Sequence, residues 1–427
     1  MRLIAAASAV ILVALVASIV AFVYLPGAAY AASDKLAFSV DQDLVSANSA
    51  FAFDIFNELV ADEDSSENIF ISPFSISTCL AMAYIGSDST TREAMADVLH
   101  FDEFTIEELN DEYQKLIGSL ENADSQVTLS IANSAWISQQ LESMVKSSYR
   151  AGVESYYDAG VFVRDFTSLS TAGEINGWIS QETNGMINHI IDPPINPNML
   201  MFLINAIYFK GDWSTQFDPA DTEVDDFYLS GGGAADVDMM YTRGDFNLTY
   251  HEYGDDHVQV GRLPYGRDKI AMYILLPDEN VDINEFTNTL NQDVMEGYIE
   301  NMGPKREVDV YLPKFDITYG KKRLNDILKN LGMDIAFDPV NADFSNMANV
   351  NPSMNVFISF VDHKAVIKVN EEGTEAAAVT VVGMGVTSAV PTQPDVLRVD
   401  RPFFFVIRDD RSGSILFMGK VMDPTAD

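Results

Sequence analysis

The sequence predicts a single α+β domain, and three observations support this prediction. Helix-like periodicity dominates the N-terminal third, strand-like runs follow from residue 199 onward, and no linker or internal repeat divides the chain of 427 residues. The acidic stretch 61–68 and the glycines at 231–233 are short enough to be turns. We therefore expect one domain over residues 40–427.

The N-terminal third contains clear helical patterns. Residues 75–85 are apolar on nearly every side, as in a helix that is buried all round. Residues 106–120 carry a one-sided apolar stripe, which indicates an amphipathic helix, and residues 175–179 continue the helical pattern.

Residues 199–209 predict a strand that is buried on both faces, because they are apolar except for Asn205. A buried amide without hydrogen bonds costs about 1 to 3 kcal/mol. Asn205 is therefore predicted to have other polar side chains converging on it.

Further strand-like runs follow, and the last two flank a hairpin turn signal at 409–413. These predicted strands are 258–263, 270–276, 308–312, 356–361, 365–369, 403–407 and 415–421.

The formal net charge of -38, from 64 Asp and Glu against 26 Lys and Arg, limits the expected partners. Nucleic acids, anionic lipids and heparin-like polyanions require basic surfaces, so none of them is expected to bind. Because 47% of the residues are hydrophobic, the charge must coat a folded domain rather than a disordered tail. The single cysteine, Cys79, excludes an internal disulfide and is interpreted as a small buried hydrophobe.

Residues 1–32 have the features of an export signal. Arg2 is the only charged residue before Asp34, and small residues follow the apolar stretch 3–25. Residues 29–31 fit a cleavage site, which favours a removed signal peptide, but the stretch is also long enough to span a bilayer. The protein is expected to be secreted, or anchored at the outer face of the cell membrane through residues 3–25.

Motifs of common catalytic chemistry are missing from the sequence. There is no Gly-x-Ser-x-Gly elbow, phosphate loop or dinucleotide fingerprint, so an enzyme is not expected. His251 and His257 lie near Glu252, Asp255 and Asp256, but the spacing matches no strong metal pattern. The sequence therefore predicts neither a metal site nor a cofactor.

An uncharged segment, 376–394, interrupts the acidic chain. Its glycines at 383 and 385 and its prolines at 391 and 394 argue against a regular place in the core. In an extended chain, residues 374, 376, 378 and 380 share one face and are small enough to pack between strands. From these residues alone, a linker, an ordinary edge strand and a loop able to become a strand are all open interpretations.

Motifs beside this segment and elsewhere resemble the serpin family, in an acidic, prokaryote-like form. Residues 369–378 (VNEEGTEAAA) are similar to the hinge of a serpin reactive loop. Other serpin-like motifs follow the family's order: 68–76 (NIFISPFSI), 178–187 (WISQETNGMI), 205–213 (NAIYFKGDW), 312–315 (LPKF), 400–405 (DRPFFF) and 413–421 (GSILFMGKV). The match spans about residues 68–424.

The resemblance implies a monomer with three β-sheets, about nine helices and an exposed reactive loop, here about residues 373–398. It also implies a serine protease inhibitor with a suicide mechanism. The target protease attacks the loop, stays attached as an acyl-enzyme and is carried away as the cleaved loop inserts into the large sheet.

The resemblance also assigns roles to individual residues. Ser72, Ser75, Asn205 and His363 correspond to the shutter, the region under the large sheet where strands must part. His363 is a candidate structural switch, although a core histidine with a satisfied hydrogen bond fits the same contacts. Trp213 corresponds, together with Glu371, to the breach where the loop first enters. The implied hinge comprises Glu371, Gly373, Thr374, Glu375, Ala376, Ala377 and Ala378.

The scissile bond is predicted between Thr387 and Ser388, by the usual spacing from Glu371. Counting back from Asp400 gives Pro391 instead, but proline is a poor residue before a scissile bond. Alternatives within about 384–390 are Met384, Val386 and Val390.

The specificity prediction is independent of the exact bond. No Lys or Arg occurs between Lys368 and Arg398, so trypsin-like proteases find no basic residue to bind. The expected partner is a serine protease with small apolar specificity, elastase-like or subtilisin-like. A non-inhibitory serpin that acts as a binding or chaperone module is the alternative, and an enzyme with an unrecognised site is the third hypothesis.

Overall fold

The computed structural model describes residues 40–350, 354–374 and 394–426. Residues Asp41–Asp427 make one compact unit. The predicted export signal at 1–32, with its possible anchor at 3–25, lies outside the described residues. Within the described ranges, no helix combines the length and the apolar character needed to cross a bilayer.

Nine α-helices occur in the described part of the chain. They are α1 Gln42–Asp62, α2 Pro73–Tyr84, α3 Ser89–Leu99, α4 Ile106–Glu121, α5 Ser147–Tyr156, α6 Ser170–Glu182, α7 Ile283–Thr287, α8 Gln292–Glu300 and α9 Asn325–Leu328. Helix α2 is buried along almost its whole length and α4 on one face, as their sequence patterns predict.

The strands follow in chain order. They are β1 Ile69–Ile71, β2 Val127–Ser138, β3 Gly160–Arg164, β4 Met201–Asp212, β5 Glu223–Tyr228, β6 Ala234–Tyr253, β7 Asp256–Tyr265, β8 Ile270–Pro277, β9 Arg306–Pro313, β10 Phe315–Arg323, β11 Asp362–Val369, β12 Gly373–Thr374, β13 Asp395–Arg398, β14 Phe403–Asp409 and β15 Ile415–Val421.

Two sheets contain these strands. The first has six strands in the order β10-β11-β12-β4-β2-β3. It corresponds to the large sheet named in the sequence analysis, and we keep that name. The second has the order β1-β15-β14-β8-β7-β6-β9-β13, with β5 added at β6. Strand β6 is shared by two sections, because its first part pairs with β5 and β9 and its last part with β7. If the two sections of the second sheet are counted separately, the described residues form three sheets. The predicted α+β class is confirmed.

The large sheet is covered differently on its two faces. On one face, α6 packs over β2 and β4 through Ile175 and Ile179, which meet Trp136, Phe202 and Ile204. On the other face, the buried helix α2 lies against β4 and β15. The functional candidates lie on the α2 face.

Strand β4 departs from its prediction in one respect. Phe202, Ile204 and Ala206 are buried under α6, whereas Met201 and Leu203, on the α2 face, are only partly buried. The predicted burial of β4 on both faces is therefore wrong, because open space lies beside this strand on the α2 face.

The strand predicted at 356–361 is also wrong. These residues have no regular structure, and β11 begins only at Asp362. A strand needs a hydrogen-bonded neighbour, and no partner strand lies between this segment and β4 in the described part of the chain.

Candidate functional site

Two residues of the predicted hinge form a short strand inside the large sheet. Strand β12 lies between β11 and β4 and is antiparallel to both. Thr374 is opposite Val369 on β11 and Gly211 on β4, and its side chain is 3% exposed. The hinge therefore occupies one end of the space between these two strands.

Gly373 is required by close backbone packing. A Cβ atom at this position would lie 2.1 Å from the carbonyl oxygen of Gly211, which no side chain can tolerate. Glycine thus lets the hinge backbone approach β4 closely enough to pair with it.

The breach candidate Trp213 holds the chain just before the hinge. Its indole Nε1 donates to the carbonyl of Asn370 at 3.0 Å, and its backbone N–H donates to the carbonyl of Glu372 at 2.8 Å. Its ring stacks on Tyr265, with the centroids 4.4 Å apart, and the Tyr265 hydroxyl lies 2.7 Å from Thr374 Oγ1. Trp213 and Tyr265 together hold Asn370, Glu372 and Thr374 at this end of the space between β4 and β11.

Glu371 is anchored by polar partners although it is largely buried. Its Oε1 accepts hydrogen bonds from Thr222 Oγ1 at 2.9 Å and from Lys314 Nζ at 3.3 Å. Burial favours the neutral carboxyl, but a backbone hydrogen bond and these two partners outweigh it, so the pKa of Glu371 lies below its ordinary value.

Ser72 connects three elements of the shutter candidate. As the N-cap of α2, its Oγ accepts from the backbone N–H of Ser75 at 3.2 Å. The same hydroxyl donates to the carbonyl of Leu416 on β15 at 2.8 Å, and the Ser72 backbone N–H donates to His363 Nε2 on β11 at 3.2 Å. The start of α2 is thereby tied to β15 and β11.

Ser75 begins a second chain of hydrogen bonds that crosses the sheet. Its hydroxyl donates to Asn205 Oδ1 on β4. Asn205 Nδ2 donates to Asn133 Oδ1 on β2 at 2.6 Å, and Asn133 Nδ2 donates to the carbonyl of Tyr157 at 2.7 Å. These contacts satisfy the amide that the sequence places in an apolar strand.

His363 is held in its neutral form. A backbone N–H can only donate, so His363 Nε2 must accept from Ser72 and the ring proton must lie on Nδ1. Burial lowers the pKa of His363 from 6.5 to about 4.

A slot separates β4 from β11 beyond the hinge. In the described part of the chain the two strands pair only with β12 and with their outer neighbours, not with each other. A cavity of about 20 Å³ lies between Ile207 and Ala365, next to Thr374. A larger cavity of about 150 Å³ lies between the first half of β4 and residues 355–363.

The structure brings the described candidates together in two groups along this slot. Glu371, Gly373, Thr374 and Trp213 lie at its filled end, and the shutter candidates lie beneath its open part. The remaining candidates lie outside the described residues: Glu375, Ala376, Ala377, Ala378, Thr387 and Ser388.

Sequence reasoning missed two residues that complete these groups. Asn133 lies in the run 127–138 (VTLSIANSAWIS), which contains several serines and a threonine, so it lacks the signal that identified Asn205. Tyr265 carries no such signal, because its contact with Thr374 depends on the pairing of distant strands. Among the described residues, no cluster of three or more His, Cys, Asp or Glu side chains is arranged to hold a metal ion.

A family model described as Serpin (serine protease inhibitor) matches residues 46–424. The chain belongs to the serpin family. Its relatives include the leukocyte elastase inhibitor of Xenopus laevis, which is 32% identical over 391 residues and is aligned over 90% of this chain and 100% of that protein.

Solved serpin structures share the same fold. The thermophilic serpin tengpin in its native state has a TM-score of 0.79 and 31% identity, with 90% of this serpin and 95% of tengpin covered. Human thyroxine-binding globulin in complex with thyroxine has a TM-score of 0.80 and 28% identity, with 91% and 100% covered.

The buried neutral His363 predicts that this serpin loses stability in acid. Between pH 6.5 and about 4 the unfolded chain binds a proton at this residue and the folded chain does not. The free energy of unfolding should therefore fall by about 3 kcal/mol through His363 as the pH falls from 7 to 4. Denaturant titrations at both pH values measure this loss.

The variant His363→Gln provides the control, because a glutamine oxygen can still accept from Ser72 while it does not titrate. Between pH 7 and pH 4, the free energy of unfolding of this variant should fall by about 3 kcal/mol less than that of the unmodified protein. Equal pH dependence of the two proteins contradicts the prediction.

Proposed function

We propose that this serpin traps serine proteases of elastase-like or subtilisin-like specificity by inserting its cleaved loop into the slot between β4 and β11. One observation carries the proposal: at the end of the slot Thr374 already pairs with both strands, and Gly373 already pairs with β4. The cleaved loop would extend β12 rather than create a new strand position.

The register of β12 determines where the following residues would pack. Continued along the slot, it brings Ala378 opposite Ile207 and Ala365, and Thr380 opposite Asn205 and His363. Small side chains suit these positions, because large rings such as Phe209 and Phe417 already line this side. The uncharged hinge sequence therefore fits the space that the slot offers.

The energy available from insertion is large. Each inserted residue advances the chain by about 3.3 Å, so roughly 14 residues carry an attached protease about 45 Å. A dozen new ladder hydrogen bonds, at about 0.5 to 1.5 kcal/mol each, contribute on the order of 10 kcal/mol before the entropy of ordering the loop. That amount is sufficient to distort the active site of the trapped enzyme.

The target class is inferred from the loop sequence. The absence of Lys and Arg between 368 and 398 removes trypsin-like enzymes, and Thr387–Ser388 offers small residues to the protease. The similarity to a relative named leukocyte elastase inhibitor supports the same class.

Incubation with a panel of elastase, subtilisin and trypsin tests this proposal. We expect a covalent complex that resists SDS with elastase or subtilisin, and none with trypsin. Mass spectrometry of the released peptide should place the cut between Thr387 and Ser388. Clean cleavage of the loop with full recovery of protease activity would contradict the proposal.

The alternative is a non-inhibitory serpin that binds a ligand or a partner protein. The likeness to thyroxine-binding globulin in complex with thyroxine supports it. The small residues Thr374, Ala376 and Ala378 weigh against it, because they suit insertion. The protease panel separates the two, since the alternative predicts no covalent complex with any enzyme.

The substitution Thr374→Arg tests whether insertion drives inhibition. Thr374 is buried between β11 and β4, so an arginine there would place a charge inside the sheet. We expect the number of inhibitor molecules consumed per trapped protease to rise several-fold, because cleavage would overtake insertion. Thr374→Ala is the matched control and should leave this ratio close to that of the unmodified protein.

If Thr374→Arg leaves the stoichiometry unchanged, inhibition does not depend on insertion at β12. Circular dichroism and thermal unfolding of both variants establish that the fold is retained.

We also propose that the serpin works outside the cell, because residues 1–32 have the features of an export signal. Fractionation of cells that express the full chain, followed by N-terminal sequencing, checks this. Secreted protein should begin just after residue 31, whereas an anchored form would retain residues 3–25 in the membrane fraction. Unprocessed protein in the cytosol contradicts both forms.

A further inference from the structure

The larger cavity of the slot has the properties of a small-molecule site. It measures about 150 Å³ and lies between α2, the first half of β4 and residues 355–363. Cavities of this size with apolar walls admit a single aromatic ring in other proteins.

Partial exposure of interior residues shows that this space is open. The Cys79 thiol lies deep enough that burial raises its pKa to about 12, yet Cys79 is only partly buried by surface area. Met201 and Leu203, on the same side of β4, are also partly buried, and all three line the cavity. Their exposed surface therefore faces the cavity rather than bulk solvent.

The walls of the cavity favour a neutral guest. They are mainly Ile, Leu, Met and Phe side chains, and Asp362 is the one acidic group among the described lining residues. Asp362 is already paired with Lys321 and Arg323, at 3.2 Å and 2.9 Å. An ion entering the cavity would lose its hydration without a free counter-charge.

His363 offers a polar group that can orient the guest. His363 lines the cavity, and its Nε2 is used by Ser72. The hydrogen bond that the His363 ring makes to a described residue is at Nε2, so the N–H at Nδ1 can donate to an oxygen atom of a bound molecule.

We propose that this cavity binds a neutral single-ring aromatic molecule that carries one oxygen acceptor, with the ring among the apolar walls and the oxygen at His363 Nδ1. Phenol is the simplest member of this class.

The bound molecule has a functional consequence that rests on the proposed function. Continued along the slot, the register of β12 brings Val382 opposite Leu203 and Met384 opposite Met201, so an inserted strand needs the same space. Occupancy therefore opposes insertion.

Binding is tested on the full serpin with ¹⁵N-labelled histidine. The chain has five histidines, so each imidazole can be followed during a titration with phenol at about pH 7.5. We expect a saturable change confined to His363, and several-fold weaker binding of benzene, which has the same ring without the oxygen. Equal affinity for phenol and benzene, or changes spread over several histidines, would overturn the inference.

Two cavity-filling variants provide the matched test. Ala83→Leu on α2 and Leu200→Phe beside β4 enlarge side chains on different walls, so at least one is expected to fold. Each should abolish phenol binding, whereas Ala151→Leu, at an exposed site on α5, should leave it unchanged. Binding that survives in a folded filling variant overturns the site.

The functional consequence has its own measurement. With elastase or subtilisin, saturating phenol should raise the number of serpin molecules consumed per trapped protease, and Ala83→Leu should remove this sensitivity to phenol. If no protease is trapped at all, the proposed function fails while the binding result stands. If proteases are trapped and phenol produces no His363 change, the inference fails alone.

Discussion

The large sheet lacks a direct pairing between β4 and β11, and the arrangement of the site depends on this missing contact. Both strands are antiparallel to β12, so they run parallel to each other with a slot between them. The first turn of α2 ties one strand to the other without bonding them directly. Ser72 holds His363 on β11, Ser75 holds Asn205 on β4, and the Ser75 N–H to Ser72 Oγ bond connects the two. Because both serines belong to the N-terminal turn of α2, this turn connects the two strands across the slot.

The filled end of the slot sets the register of β12. Gly373 approaches the β4 backbone more closely than any side chain allows, and Thr374 is held by the Tyr265 hydroxyl. Trp213 supports both, since it stacks on Tyr265 and binds the carbonyls of Asn370 and Glu372. A strand that continued β12 would therefore inherit a register that these contacts already set. In the proposed insertion, each further pairing would add hydrogen bonds to β4 and β11, so extension of β12 would lower the free energy step by step.

Much of this arrangement was predictable from local patterns. A polar residue inside an apolar strand identified Asn205, and apolar character on all sides identified α2 as buried. The errors arise where local pattern and tertiary context disagree. Residues 356–361 have strand-forming composition, but the slot leaves them without a partner, so no strand forms. Asn133 contacts Asn205, which lies 72 positions further along the chain, and Tyr265 contacts Thr374, which lies 109 positions further along. Sequence periodicity cannot reveal contacts of this range.

The slot differs in charge from the rest of the chain. The chain has a net charge of -38, yet the described residues that line the two slot cavities are uncharged apart from Asp362 and Lys364. A carboxylate inside the slot would repel the surrounding acidic surface and would lose its hydration when a strand closed over it. The uncharged segment 376–394 and the neutral lining of the slot therefore complement each other. Neutral His363 belongs to the same pattern, because a charge there would be buried beside the slot and would also oppose the strand insertion that we propose.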